Sequence, residues 1–517
     1  MAKAPNGAAR HPESINFTTR WLVVSLRRKG FPLQSAVVSS GARQSRVFPV
    51  LLALIKTLGW LAAHSPEWLM RLFAHGLGDL MYVLFKKRRY MGTQNFSHAF
   101  PDRPLAWHRR MCRESCRRLG ETAMLSLAAP FLSEKRIRRI GRLTPGVTEW
   151  LAEYQKSPRA TVFGTAHFAY WEVQTWLGLL SLPTPMPEFG ILFRPLDNPA
   201  LNAFMHETRS RFGMHLLARR EGLGDAMGIL RNKGNVGLLF DQNTGQRGAL
   251  LTLCGRVCSV TELPGLLVEK HHADLRVFYP RRRGFWRVDF CSEPIEHDGT
   301  TVGVTIALNR WLERILTDDE NMCASWLWTH DRWKIQNNPD LRFRLEAKRD
   351  LLAEDCAVRG WSALPRRTRV WVRLPDDPVL AAQAGPLLQA IHEGRRDAEL
   401  TLVGEGNLAG LAREWPCVHR FVPLPPAGSE RDRFFLDCRF AYIDVFLVLS
   451  ETPEADREVA LSETKQRFGL VRPGQTRPAL THTYEVPAEL AASAGDALAL
   501  WEPMARRFGL QAPVVRR

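Results

Sequence analysis

At 517 residues the chain is longer than one hydrophobic core usually organises, so two or three domains are expected. Hydrophobic residues at 45% and charged residues at 24% are ordinary globular proportions, which exclude a disordered chain, a collagen-like repeat and a multi-span transporter. A formal net charge of +18 calls for an acidic partner: nucleic acid, an anionic membrane surface or an acidic protein.

Residues 1–45 read as a basic lead-in. The apolar run WLVVSL, beginning at Trp21, is too short for a secretory signal, so a cytoplasmic location is expected. Next comes the most apolar stretch, Val47 to Phe85, interrupted by Lys56, Glu67, Arg71 and Asp79. A membrane span wants about 20 nearly uncharged residues. An interfacial helix or hairpin, followed by KKRR at Lys86 to Arg89, fits this pattern better. Between Lys86 and Arg142 there are fifteen Lys or Arg against four Asp or Glu, so the basic excess follows the apolar stretch. That points to an anionic membrane surface. No nucleic-acid partner is expected, because aromatic residues do not interleave with the arginines at 281–283 in a stacking pattern.

Helices are predicted as far as Ile140, and from about Arg159 short apolar runs alternate with amphipathic segments: ATVFGT, GILFRP, VGLLFD, HADLRVFYP and WRVDF among them. Such alternation predicts an α/β sheet domain, bounded here at 46–345. A charged connector at 346–365 leads to a second alternation over 366–517, read as a smaller Rossmann-like α/β domain. The nine cysteines, odd in number and scattered, suit free thiols in a reducing compartment. The pairs Cys112/Cys116 and Cys254/Cys258 match no common zinc spacing, and no metal or other cofactor is expected.

The stretch TVFGTAHFAYWEVQ reads as a buried strand that breaks at Gly164 and presents His167 at its carboxyl end, where α/β sheets place chemistry. Glu172 follows five residues later. On one continuous helix the two side chains diverge by about 140°, so they meet only if His167 lies in a turn and Glu172 in the first helical turn. In that arrangement the carboxylate holds one ring nitrogen while the other takes a proton from a hydroxyl; the alternative is a purely structural hydrogen bond. The same spacing recurs at His392 and Asp397, without a preceding strand.

Two further strand ends carry polar groups: Arg194 after GILF, and Asp241, Gln242 and Asn243 after VGLLF. Three such ends suggest one cleft. There Arg194 would stabilise an oxyanion, and Asp241 would hold that arginine or position the acceptor. An ordinary Arg194–Asp241 ion pair is the other reading.

HFAYWEV, FRPLDNPALNAFMHETRSRFGM, GLLFDQNTGQRGALLTLCGR and WLWTHDRWK, in this order, resemble the bacterial late acyltransferases of lipid A biosynthesis, the lauroyl and myristoyl transferases, over about residues 47–335. KKRRYMGTQNFSHAFPD resembles that family's membrane-proximal opening. The resemblance implies membrane-proximal helices before a lysophospholipid-acyltransferase-like α/β sheet domain. It also implies transfer of a fatty acyl chain from acyl carrier protein to a hydroxyl of a lipid A precursor or related glycolipid, at the cytoplasmic face of the inner membrane. It makes His167 the base, Glu172 its orienting partner, and Arg194 and Asp241 active-site residues. Asn198, Arg211, Gln242 and Asn243, in the same motifs, become candidate substrate-binding residues. No G-x-S-x-G elbow is present, so direct attack by the acceptor hydroxyl is preferred, with Cys254 or Cys258 as the alternative nucleophile. At Met322 to Trp326 the chain departs from the family's P-E-Q-W pattern, which leaves the acceptor open.

Residues 367–512 resemble the amino-terminal half of heptosyltransferase-like glycosyltransferases, through RVWVRLPDDP, AELTLVGEGNLAGL and RFGLVRPGQTRPALTHTYEVPAEL. Val379 and Leu380 stand where that family has Gly-Asp, and the second half of such an enzyme is missing. The unit therefore reads as an accessory module that docks on a glycolipid or a partner enzyme. Gly404 to Ala409 has a G-x-G-x-x-A form, without a nicotinamide site being expected. The non-enzymatic alternative for the whole chain is a degenerate acyltransferase kept as a glycolipid-binding or assembly scaffold.

Overall fold

The computed structural model describes residues 40–196, 198–218, 221–336, 338, 343–491 and 496–510. Most of the expected basic lead-in, residues 1–39, lies outside them. Four helices come first: α1 (Ser40–His64), α2 (Glu67–Leu84), α3 (Lys86–Ala99) and α4 (Leu105–Ala128). Along α2 the residues Met70, Ala74, Gly78 and Met81 recur at helical spacing and form its buried face. That face lies tight against α4. A Cβ at Gly78 would stand 2.5 Å from the Cα of Arg117, and one at Gly120 would stand 2.3 Å from the carbonyl oxygen of Ala74. Gly120→Val is therefore expected to lower stability by about 1–3 kcal/mol, read from chemical denaturation. An unchanged midpoint would contradict this packing.

The other face of α2 is apolar and exposed: Trp68 is 69%, Leu72 65% and Phe73 57% accessible, and Leu80, Val83 and Leu84 continue it. Among the described residues no helix is long and apolar enough to cross a membrane.

The first α/β unit is built on a seven-stranded sheet. Its strands are β1 (Gly141–Leu143), β2 (Thr161–Thr165), β3 (Phe189–Phe193), β4 (His215–Ala218) and β5 (Asn235–Leu239), followed, after the hairpin β6 (Ala249–Leu253) and β7 (Arg256–Val260), by β8 (Asp274–Gly284) and β9 (Arg287–Pro294). The order is β1-β9-β8-β2-β5-β3-β4, parallel except between β8 and β9. Helix α5 (Pro145–Lys156) packs on one face, where Trp150 meets Phe163, and α7 (Thr301–Asp318) on the other, where Val304, Leu308 and Leu312 share a core with Val162; α6 (Pro199–Ser210) follows β3. Burial on both faces explains the continuous apolar runs of these strands.

Gly164 does not break β2, as the sequence suggested. It lies inside the strand, where a Cβ would stand 2.8 Å from Leu308 Cδ2, so it admits the close approach of α7. The chain turns instead at Tyr170, whose φ of 67° is left-handed.

The segment expected as a bare connector is part of the fold. Residues 349–350 form β10 beside β6, and α8 (Leu352–Arg359) follows, with buried Asp355 accepting from the Thr252 N–H at 3.0 Å. The second unit is a six-stranded, wholly parallel sheet made of β11 (Thr368–Arg373), β12 (Ala398–Gly404), β13 (Arg420–Pro423), β14 (Val445–Val448), β15 (Arg467–Val471) and β16 (His482–Glu485). Its order, β13-β12-β11-β14-β15-β16, is doubly wound, with the reversal between β11 and β14. The protein's own ion pairs crowd the carboxyl end of this sheet: Arg373 with Glu458 and Asp376, Arg431 with Glu405 and Glu458, and Arg477 with Asp456. Gly404 to Ala409 starts on the last residue of β12, the second strand of this unit in chain order, rather than after the first, where the dinucleotide fingerprint belongs.

Candidate functional site

Strands β2, β5 and β3 are neighbours and parallel, so their carboxyl ends reach one edge of the sheet together. His167 stands two residues beyond β2, Asp241 two beyond β5, and Arg194 directly after β3. The three strand ends picked out from the sequence thus share one edge of the sheet, and the pairing found there, His167 with Asp241, differs from the expected one. His167 Nδ1 lies 2.7 Å from Asp241 Oδ1, and the His167 backbone N–H donates to Oδ2 at 2.8 Å. One carboxylate grips both the ring and the main chain of the same residue. The indole N–H of Trp326 donates to Oδ2 as well, at 2.7 Å.

Burial by itself would push the Asp241 carboxyl up. The positive charge available on His167 and the hydrogen bonds from His167 and Trp326 outweigh it and hold the group at about 2, against an ordinary 3.8. Ionised Asp241 requires a proton on Nδ1, which leaves the lone pair on Nε2. Gln242 Nε2 lies 3.1 Å from that lone pair and can donate to it. Trp171 meets the imidazole edge-on at a ring separation of 5.5 Å.

Glu172 is not the imidazole's partner in this structure. As the sequence required, His167 lies in the turn and Glu172 in the first turn of the short helix Trp171–Trp176. The carboxylate nevertheless turns to α6, where Arg209 holds it with three contacts of 2.7–3.0 Å. A guanidinium within reach offers two parallel donors, which one imidazole N–H does not. Arg194 is exposed at the sheet edge, and the Asp241 oxygens are taken by His167 and Trp326, which disposes of the ordinary Arg194–Asp241 pair.

Three of the four candidate binding residues serve the fold. Asn198 Oδ1 caps α6, accepting from Ala200 and Leu201 N–H groups at 3.0 and 3.1 Å. Arg211 donates to the Pro130 and Leu132 carbonyls. Asn243 accepts from Gly245 N–H at 2.7 Å and donates to the carbonyls of Asp331, Arg332 and Lys334, stapling the 330–334 loop behind the site. Only Gln242 touches the imidazole. The cysteine alternative also fails, since burial pushes the Cys254 and Cys258 thiols up, away from the reactive thiolate.

Three residues of the site were not singled out from the sequence: Trp326, Arg209 and His330. His330 is half-buried, and desolvation, with help from Arg332 and His167, pushes it down to about 4; its Nε2 accepts from the Asn243 N–H at 3.3 Å. All three stand in motifs already noticed, WLWTHDRWK and FMHETRSRFG, so the signal was present without the assignment.

The turn that presents His167 is braced from below. Tyr170 donates its hydroxyl to Glu121 Oε2 at 2.6 Å and its N–H to Thr122 Oγ1 at 2.9 Å, while Trp286 N–H donates to the Tyr170 oxygen at 3.0 Å. Glu121 is wholly buried. Arg282 pairs with both of its oxygens at 2.7 and 3.0 Å, and His75 approaches Oε1 at 2.8 Å.

A family profile described as bacterial lipid A biosynthesis acyltransferase matches residues 44–335. No curated protein matches the chain. Among solved structures, a similar one is the E. coli ADP-heptose lps heptosyltransferase II, 17% identical with a TM-score of 0.22; the similarity covers 25% of this chain and 40% of that one.

Proposed function

The chain belongs to the bacterial lipid A biosynthesis acyltransferase family, and on that premise we propose that it moves a fatty acyl chain from the thioester of acyl carrier protein to a hydroxyl of a lipid A precursor or related glycolipid. His167 is the general base, with Asp241 rather than Glu172 as its direct partner. The observation that carries this reading is the 2.7 Å contact between His167 Nδ1 and Asp241, which directs the basic lone pair of Nε2 to the substrate side.

The acceptor hydroxyl displaces the Gln242 amide from Nε2 and gives up its proton there as its oxygen attacks the thioester carbonyl carbon. A C–O bond forms and the carbonyl becomes a tetrahedral oxyanion, stabilised by the Arg194 guanidinium and the displaced Gln242 amide. The C–S bond then breaks, and the imidazolium returns its proton to the leaving thiolate. No covalent enzyme intermediate is needed.

The exposed apolar face of α2, continued by exposed Lys86 and Lys87, supports attachment to the cytoplasmic face of the inner membrane, apolar side chains in the interface and cations at the headgroups. An acidic carrier protein suits the same basic surface. The test offers the purified full chain acyl carrier protein thioesters and coenzyme A thioesters in separate reactions with a lipid A precursor, read by mass spectrometry. A gain of one acyl group, faster with the carrier protein, is the expected result. No gain with either donor on any glycolipid tested would refute the reading.

A further inference from the structure

Helix α4 does two things at once. Its middle and C-terminal turns brace the site: Ser115 Oγ donates to the Trp326 carbonyl at 3.0 Å, and Thr122 accepts from the Tyr170 N–H in the turn that presents His167. Its N-terminal turns set Arg109, Arg110 and Arg113 on the surface, all exposed, with half-buried Arg117 one turn further on. These four guanidinium groups, with Tyr82 of α2 and Glu114, line an open hollow of about 350 Å³.

The side-chain charges around this hollow do not balance. Arg113 and Arg117 both close on the one carboxylate of Asp79, each through two contacts of 2.8–2.9 Å. Arg110 pairs with Glu320 at 2.6 Å, and Glu114 serves Arg118 at 2.8 Å and Arg117 at 3.7 Å. Arg109 has no carboxylate partner among the described residues; its guanidinium lies over the ring of Phe440, 4.9 Å from the centroid. Five arginines therefore face three carboxylates, and Glu121, 3.7 Å from Arg118, is already matched by Arg282 at 2.7 Å. A surplus of two positive charges remains. Phe440, in the second α/β unit and 41% exposed, is also flanked by Arg439 at 5.3 Å. Exposed aromatic rings and arginines are the side chains that most often anchor protein–protein contacts.

We propose that this patch docks the acidic surface of the acyl carrier protein that delivers the thioester, its carboxylates drawn by the surplus charge and Phe440 packing at the rim. The partner's identity rests on the acyl-transfer reading, whereas the acidic chemistry of its surface rests on the patch. Arg113 and Arg109 stand nine and 13 residues before Thr122, about 14–20 Å along α4. A carrier docked here therefore holds its tethered acyl group near the turn that presents His167. A bilayer suits the patch less well. Leu80 and Leu84, which carry the apolar face of α2 alongside it, stand about 100–160° around that helix from Asp79 and Tyr82, and the patch is bordered by Phe440 of the second unit.

The test measures binding of fluorescently labelled acyl carrier protein to the full chain by anisotropy, and initial rates with carrier-protein and coenzyme A thioesters. It compares the parent with Arg109→Glu/Arg110→Glu and with Phe440→Ala, folding verified by circular dichroism. The double variant leaves the Asp79 pairs intact and removes only the exposed Arg110–Glu320 pair, a kind that contributes little to stability. Kd and KM for the carrier protein are expected to rise at least tenfold in the double variant and several-fold in Phe440→Ala, and the parental affinity to fall with added salt. Rates with the coenzyme A thioester and flotation with phosphatidylglycerol vesicles are expected to stay unchanged. Unchanged carrier affinity in the folded variants would overturn the proposal. So would loss of vesicle binding with both donors slowed alike, which assigns the patch to the bilayer. A parent that transfers from coenzyme A but binds no carrier protein refutes the docking and spares the acyl-transfer reading; carrier binding at the patch without transfer from either donor does the reverse.

Discussion

Asp241→Asn is expected to lower kcat for acyl transfer by about 10²–10⁴-fold while leaving the protein folded. The amide keeps the shape of the carboxylate and loses its charge. Asp241 accepts from three donors, the His167 ring, the His167 main chain and the Trp326 indole. An amide at this position sets an NH₂ group against one of those donors. The readiest escape is to move the imidazole proton from Nδ1 to Nε2, which buries the basic lone pair and offers the substrate hydroxyl a donor. His167→Ala removes the same function, so the double variant should be no slower than the worse single one. An additive loss in the double variant would mean that the two residues act separately. The carboxyl also links pH to stability. Its folded value of about 2 lies below the ordinary 3.8, so its contribution is present above about pH 4 and is lost as pH falls toward 2.

Glu121→Gln is expected to cost about 3–5 kcal/mol, measured by chemical denaturation, and to reduce activity as well. The side chain is wholly buried and holds Arg282, Tyr170 and His75. Neutralising it strands the Arg282 charge, with Arg118 nearby, in an apolar setting. Burial raises the Glu121 carboxyl, but Arg282, Tyr170 and Arg118 together bring it below the ordinary 4.5. Its contribution is therefore complete above that pH and is lost as the solution is acidified through the lower folded value. Because the same carboxylate braces Tyr170, three residues after His167, the turn that presents the base should loosen with it. A variant as stable as the parent would show that the buried cluster is dispensable.

Much of this architecture was legible because buried parallel strands advertise themselves. ATVFGT, GILF, VGLLF, HADLRVFYP and WRVDF were read as strands, and β2, β3, β5, β8 and β9 fall on them. The short strands β1 and β4, of three and four residues, gave too little pattern to separate them from loops. The charged stretch around Asp355 looked like a connector because local charge does not disclose that a carboxylate will be buried against the N–H of Thr252.

At the site, polar groups at strand ends were visible in the chain, while their partners were not. The angular argument for His167 and Glu172 is local, and it placed both residues correctly along the backbone. The carboxylate that reaches the imidazole lies 74 positions away and arrives through the pairing of β2 with β5, which no local spacing encodes. Glu172 was diverted by the same long-range order, which sets α6 and Arg209 beside it. Asn198 and Asn243 show the converse: amides inside functional motifs that cap a helix and staple a loop.

The account stands most directly on a single-turnover measurement with the full chain, an acyl carrier protein thioester and a lipid A precursor, comparing parent and His167→Ala at equal, verified folding and membrane binding. It predicts ester product from the parent and, from the variant, formation slowed by about 10²-fold or more. Product formed by the variant at the parental rate would contradict it, and would leave the chain a glycolipid-binding scaffold in which the base is expendable.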